Sequence, residues 1–82
     1  MPDKTRCDVV TTTHAIEFDF APKWAEAIGQ SLNYGFQINK TPGVVLIVRS
    51  KKEMKHWFQL NSVIKHYKLP IQPQIWKTYQ GD

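Results

Sequence analysis

Three acidic residues near the start of the chain lie on adjacent predicted strands, where they could hold a cation. Asp8 lies in the first apolar stretch, and Glu17 and Asp19 lie in the second. Side chains two residues apart on a strand point to the same face, so Glu17 and Asp19 are predicted to share one. Carboxylate oxygens suit hard divalent cations, which can activate water beside a phosphate. The spacing leaves another interpretation open, in which all three acids are exposed on the solvent side of a half-covered sheet.

The pattern of apolar residues predicts the elements that position these acids. Residues 15–20 alternate apolar and polar side chains, as a strand does. Pro22 suits the first turn of a helix, where its missing N–H has no partner anyway. Residues 44–48 form an uninterrupted apolar run, which is typical of a parallel strand covered on both faces. Ser50 and Glu53 have the spacing of a capping box, which predicts the start of a second helix.

These patterns predict a single α/β domain over residues 1–82, with a small mixed sheet of about four strands and two helices in the order ββαβαβ. A helix between the second and third strands implies that these strands are parallel. Pro73 lacks a ladder donor, so the last strand is expected at an edge of the sheet. The predicted elements are strands at 6–10 and 15–20, a helix from 22 to about 35 or 36, a loop at 39–43, a strand at 44–48, a helix from 50 to 68 and a strand at 71–76.

Both helices are predicted to be amphipathic, because apolar side chains recur at helical spacing. The apolar faces are predicted to contain Trp24, Ala25, Ile28, Leu32 and Phe36 in the first helix, and Met54, Trp57, Phe58, Leu60, Ile64 and Tyr67 in the second. A second stripe of the first helix consists of Lys23, Ala27, Gln30 and Tyr34.

The two halves of the chain differ in charge. Residues 1–41 carry four bases and five acids, whereas residues 42–82 carry seven bases and two acids. A basic half is what a phosphate-binding surface needs, because lysines that neutralise phosphates release condensed counterions. A solvated lysine-rich face would give the same composition. The predicted phosphate-contact patch surrounds the start of the second helix and consists of Arg49, Lys51, Lys52 and Lys55.

Several classes of protein are disfavoured by the composition. No apolar run approaches the length of a membrane span, and the first residues lack the apolar core of a signal peptide. We therefore expect no membrane association and a cytoplasmic location. The one cysteine, Cys7, excludes an internal disulfide and a cysteine metal cluster.

The order of these features resembles a known superfamily. Asp8, then Glu17-Phe18-Asp19, then a helix bearing Gln30 and Tyr34 is similar to the PD-(D/E)XK nucleases, in the branch with a Gln-x-x-x-Tyr helix. The resemblance covers about residues 2–50. It implies a restriction-endonuclease-like core and hydrolysis of DNA phosphodiesters with Mg²⁺, for which Mn²⁺ can substitute. It also implies that Asp8 and Glu17 are the metal ligands, and that Gln30 and Tyr34 support the site or contact the nucleic-acid backbone.

The chain departs from the family pattern in two ways. Asp19 stands where the family has a lysine that orients water and offsets negative charge, and Lys23 is the candidate to replace it. Fewer residues than usual precede the first strand, so we expect exposed apolar surface that a second copy covers in a homodimer. The alternative function is that of a catalytically inactive relative, acting as a nucleic-acid-binding or protein-interaction module.

Overall fold

The computed structural model describes residues 8–80. Within this range the chain forms a four-stranded sheet and two helices in the predicted order, which confirms the small mixed α/β fold. The predicted strand residues 6 and 7, and with them Cys7, lie outside the described residues. The elements are β1 (Val9–Val10), β2 (His14–Phe20), α1 (Trp24–Ile38), β3 (Thr41–Val48), α2 (Met54–Tyr67) and β4 (Gln72–Lys77), with short 3-10 turns at Ala21–Lys23 and Lys51–Glu53.

The sheet has the strand order β1-β2-β3-β4. β1 pairs with β2 in the antiparallel sense, and β2, β3 and β4 are parallel to one another. β4 lies at an edge, as Pro73 predicted. Both helical crossovers run in the same direction across the sheet, so right-handed connections place α1 and α2 on the same face. The result is two layers, one of helices and one of strands.

The hydrophobic core lies between these two layers. Ala27 of α1 and Leu60 of α2 pack in one cluster with Val44, Leu46 and Val48 of β3. The intervening β3 residues point to the opposite face and are only half-buried. The prediction that this strand is covered on both faces is therefore wrong for the described residues, because both crossovers deliver their helices to one side.

The other side of the sheet carries no helix within residues 8–80. The register aligns its side chains in rows across β2, β3 and β4. We call this surface the open face. It comprises the row Ile16, Gly43 and Gln72, the row Phe18, Val45 and Gln74, and the row Phe20, Ile47 and Trp76.

Both helices end in a left-handed residue. Asn39 has φ 56° and Lys68 has φ 54°. In each case the next residue donates its N–H back into the helix, from Lys40 to the carbonyl of Gly35 at 2.9 Å and from Leu69 to that of Ile64 at 3.0 Å. This is the Schellman arrangement, in which asparagine is the commonest substitute for glycine. α1 therefore runs to Ile38, two or three residues beyond the predicted end.

The loop predicted at residues 39–43 is wrong from Thr41 onward. β3 begins at Thr41, whose N–H donates to the carbonyl of Thr13 on the β2 side. Backbone groups alternate sides along a strand, so the nitrogen of Pro42 faces the β4 side. Pairing with β4 starts only at Gly43, so the missing N–H of Pro42 breaks no ladder bond.

The capping box predicted at the start of α2 does not form. The Ser50 side chain makes no capping hydrogen bond. Glu53 Oε1 instead accepts the backbone N–H of Arg49 at 2.8 Å. The helix begins as the 3-10 turn Lys51–Glu53 and becomes α-helical only at Met54.

Three aromatic residues assigned to apolar faces are exposed instead. Phe36 is 86% exposed, Phe58 60% and Tyr67 67%. Trp24, Ile28 and Leu32 of the predicted α1 face do pack against the core, but they are only partly buried, and the buried residues of α1 are Ala27, Ser31, Tyr34 and Gly35. Helical periodicity defines stripes, but the docking angle of the helix decides which stripe meets the sheet.

Two glycines of α1 provide a matched test of packing at the helix end. A Cβ at Gly35 would lie 2.8 Å from the carbonyl oxygen of Lys40 and 3.2 Å from Pro42 Cδ, whereas one at Gly29 meets nothing within 4 Å. We expect Gly35→Ala to lower the free energy of unfolding by roughly 1–3 kcal/mol through overpacking. Gly29→Ala should raise it by up to about 1 kcal/mol through helix propensity. Urea unfolding measures both, and a stabilised Gly35→Ala protein would contradict the close packing.

Candidate functional site

The carboxylates of β2 face the helical layer. Glu17 pairs in register with Val44, and Asp19 pairs with Leu46, both of which point into the core. Glu17 is only 7% exposed. The two acids therefore share a face, as predicted, but it is the covered one. The interpretation that places the acids on the solvent side is wrong for Glu17, and the outward positions of β2 belong to His14, Ile16, Phe18 and Phe20.

Glu17 is an uncompensated buried acid. Its Oε1 has no hydrogen-bond partner among the described residues. Burial, and to a smaller extent the negative charges of Asp8 and Asp19, together raise the pKa of Glu17 from 4.5 to about 7. A buried polar atom without a partner destabilises a fold by about 1–3 kcal/mol. Such a group in a native structure calls for an explanation, and a bound water or ion is one.

Asp8 is held beside Glu17 by the backbone of β2. The pairing of Val9 with Ile16 places Asp8 next to Glu17 across the β1–β2 hairpin. Asp8 Oδ2 accepts the N–H of Phe18 at 2.9 Å. Asp8 itself is exposed, so this hydrogen bond orients an acid that solvent can reach.

Asp19 is the third acid of the cluster. Its Oδ1 accepts the N–H of Phe20 at 3.1 Å. Burial raises the pKa of Asp19, the Phe20 N–H and the positive charge of Lys23 oppose that rise, and the charges of Glu26 and Asp8 add to it. Lys23 is thus close enough to act on the cluster through Asp19.

Glu26 of α1 is an exposed acid near this cluster, and the sequence analysis missed its effect on Asp19. A signal was present, because Glu26 lies three residues after Lys23, one helical turn along α1. Only the docking of that turn against β2 shows that its charge reaches Asp19.

Gln30 and Tyr34 form a separate feature on α1. Together with Gly29 and Asn33 they line a surface pocket that none of the three carboxylates lines. Tyr34 is 6% exposed, whereas Gln30 lies at the surface. The structure therefore brings these two residues together in one pocket. The side chain of Tyr34 is buried in the fold, and the amide of Gln30 is accessible to solvent.

The predicted basic patch is only partly available for phosphate. Arg49 forms an ion pair with Glu53, with Nη2 and Oε2 2.9 Å apart, and its guanidinium lies 4.4 Å from the centre of the Phe20 ring. Hydrogen bonds from the Arg49 side chain and backbone hold the pKa of Glu53 below its usual value. The patch members without a described ion pair are exposed; they are Lys51, Lys52 and Lys55.

The geometry limits what the acids can hold. Within residues 8–80, no group of three His, Cys, Asp or Glu side chains could together hold a metal ion. A cation at this position would therefore take one or two protein carboxylates, which is the usual mode for Mg²⁺ next to phosphate groups. The unpartnered Oε1 of Glu17 and the oriented carboxylate of Asp8 fit that mode.

Comparison with protein-family models, with curated proteins and with solved structures found no match for this chain. Neither helix described here is long and apolar enough to cross a membrane. The fold and the site define a two-layer α/β domain with one open sheet face and a cluster of three carboxylates, of which Glu17 is buried.

Proposed function

We propose that this protein is a nuclease-like enzyme of the restriction-endonuclease-like type, which hydrolyses DNA phosphodiesters with Mg²⁺, or with Mn²⁺ in its place. The observation that carries the proposal is the buried Oε1 of Glu17, which has no partner among the described residues and lies near two further carboxylates. A divalent cation would remove both penalties at once, because it supplies a partner for the oxygen and offsets the repulsion.

Asp8 and Glu17 are the residues that would hold the cation. When bound, it would supply a Lewis acid and an activated water beside the phosphate. Asp8 is accessible and oriented by the Phe18 N–H, whereas Glu17 is anchored inside the fold. One acid can therefore meet substrate and the other can hold its position.

The chain's own cations have two roles in the proposal. Lys23 offsets the charge of Asp19, the residue at the family's lysine position. Lys51, Lys52 and Lys55 are exposed next to the carboxyl end of β3, where they can contact phosphates. The carboxyl ends of parallel strands are the usual place for ligands in α/β sheets. Gln30 would contact the backbone of the nucleic acid, with Tyr34 supporting it. The same proposal places the protein in the cytoplasm.

The charge of the site favours one alternative. The charges that act on Glu17 and Asp19 are mostly negative. Within residues 8–80, Lys23 is the one positive charge among them, and the acids nearby include Asp8 and Glu26. Without a cation, this surface would repel phosphate. A relative that has lost catalysis would then bind nucleic acid through the lysines alone, or would act as a protein-interaction module.

A cleavage assay with matched variants tests the proposal. Single-stranded, duplex and branched DNA are incubated with the protein and Mg²⁺ or Mn²⁺. We expect cleavage of at least one DNA by the unaltered protein and loss of cleavage in Glu17→Gln, which keeps the side-chain volume but removes the charge. Glu26→Gln removes the same charge from an exposed position of α1 and should retain cleavage.

The other outcomes are equally informative. Cleavage that survives Glu17→Gln would exclude the assigned site. Binding without cleavage, weakening steeply as salt rises, would establish the inactive nucleic-acid-binding alternative instead. A protein that binds none of the three DNAs would overturn both and favour the protein-interaction module.

A further inference from the structure

We propose that the open face is covered by the open face of a second copy of this chain, in a two-fold homodimer. No side chain of its three rows is charged, although the chain carries a formal net charge of +4. The guanidinium of Arg49 lies over the Phe20 ring at one edge of this face, where it is paired with Glu53. Trp76 is 54% exposed and Phe20 is 46% exposed on this surface. Exposed apolar patches with a polar rim mark interaction sites. The inference does not depend on the carboxylate site, which lies on the other side of the sheet.

The open face carries bulky side chains at one end and a depression at the other. At the carboxyl ends of the strands, the row contains Phe20, Ile47 and Trp76. At the amino ends, the middle of the row is Gly43, and the missing side chain leaves a depression. The walls of this depression include Ile16, Val45, Gln72 and Gln74.

One wall of the depression is held in place from within the fold. His14 Nε2 lies 3.0 Å from Gln72 Oε1, and His14 Nδ1 lies 2.7 Å from the hydroxyl of Thr13. Both ring nitrogens of His14 are therefore engaged, and the Gln72 amide is held at the side of Gly43. The depression is a preformed feature of the surface.

The shape of the open face is self-complementary, because its bulky end can fit the depression on the open face of a second copy. A two-fold axis between two such sheets, perpendicular to the strands, reverses the strand direction of the second copy. Ile47 of each copy then lies over the second copy's Gly43, and Val45 and Gln74 meet their own equivalents near the axis. Isologous contacts of this kind are the commonest in homodimers, and sheets pack face to face at about 10 Å.

The size of the surface determines the strength of the dimer. Three strands about 4.8 Å apart, each presenting about six residues at about 3.3 Å, give a flat footprint of roughly 300 Å². A standard interface buries about 800 Å² per partner, so this dimer belongs to the weak, reversible class. We therefore expect the dimer to be populated only at high protein concentration. Because each copy is positively charged, added salt should tighten the dimer, whereas it would weaken binding to nucleic acid.

Sedimentation velocity between about 5 and 300 µM tests the proposal, since this range brackets weak interfaces. We expect a concentration-dependent dimer that becomes tighter as salt rises. Trp76→Glu should weaken it by at least about tenfold. Phe36→Glu is the matched control, because Phe36 is 86% exposed but lies on α1, away from the open face.

Gly43→Ala tests the depression without endangering the fold. A Cβ at Gly43 would meet the Gln72 carbonyl and Ile16 Cγ1 at 3.5 Å, which is ordinary contact. The variant should fold normally, verified by its thermal midpoint, yet dimerise several-fold less tightly. Glu17→Gln should leave the dimer unchanged, which separates this proposal from the nuclease one. A protein that stays monomeric up to about 300 µM, or equal weakening by Trp76→Glu and Phe36→Glu, would overturn the proposal.

Discussion

Glu17→Gln is expected to raise the free energy of unfolding by on the order of 3 kcal/mol at about pH 8 and to leave it nearly unchanged at about pH 4. The pKa of Glu17 is raised in the folded protein from 4.5 to about 7, chiefly by burial. Below 4.5 the carboxyl is protonated in both the folded and unfolded states. Glutamine, which is neutral and of the same size, then resembles the wild-type side chain.

The sign of the pH dependence follows from where the protons bind. Between pH 4.5 and about 7 the unfolded chain loses the Glu17 proton while the folded chain keeps it. The folded state then binds more protons, so the wild-type protein loses stability as pH rises, by about 1.4 kcal/mol per unit. Above about pH 7 the loss is complete. Glu17→Gln has no such group, so the difference between the two proteins isolates this one carboxyl.

Urea unfolding followed by tryptophan fluorescence at several pH values measures this difference. Glu26→Gln, at an exposed position of α1, should differ from wild type by no more than about 0.5 kcal/mol throughout. Millimolar Mg²⁺ should reduce the difference in free energy of unfolding between wild type and Glu17→Gln at about pH 8. The reason is that a ligand that binds only the folded state stabilises it, and the wild-type protein is the one that keeps the carboxylate. Parallel pH curves for wild type and Glu17→Gln would mean that Glu17 is not the uncompensated acid described here.

Leu60→Ala is expected to destabilise the protein by about 2–5 kcal/mol, through lost burial and the cavity left behind. Leu60 is fully buried and is the one buried residue of α2, where it packs in the same cluster as Val44 and Leu46. Small domains are stable by only about 5–15 kcal/mol in total, so this substitution removes a large part of the margin. The thermal midpoint should fall by at least about 10 °C.

Phe58→Ala is the matched control in the same helix. Phe58 is larger than Leu60 and precedes it by two residues, yet it is 60% exposed. Its truncation should change the free energy of unfolding by less than about 1 kcal/mol. Thermal unfolding monitored by circular dichroism compares the two variants. A larger loss for Phe58→Ala than for Leu60→Ala would show that α2 docks through a different stripe.

Local patterns predicted the elements well where one physical signal dominated. The alternation in residues 15–20 identified β2, and Pro22 identified the start of the first helix, which opens as the turn Ala21–Lys23. The end of that helix was predicted too early because Asn39, rather than a glycine, adopts the left-handed conformation. Thr41 and Pro42 have turn-like composition, and only their pairing with β2 makes them part of a strand.

The acidic residues were likewise predicted in part from local pattern, while the rest depended on the tertiary structure. Their types and spacing identified Glu17 and Asp19 as neighbours on one face, and Asp8 as a third acid on the preceding strand. That face could equally have been the exposed one, because alternation along a strand does not say which side the helices cover. The contribution of Glu26 and the pairing of Arg49 with Glu53 also depend on how α1 and α2 dock.

The sequence by itself determined the order of the elements, the parallel crossovers and the identity of the acids, since these depend on short-range periodicity and on residue chemistry. Only the tertiary structure decided that both helices lie on one face, that Glu17 is buried without a partner among the described residues and that Phe18, Phe20 and Trp76 lie on the open face. The physical reason is that side-chain period defines faces, whereas burial and pKa depend on which faces meet.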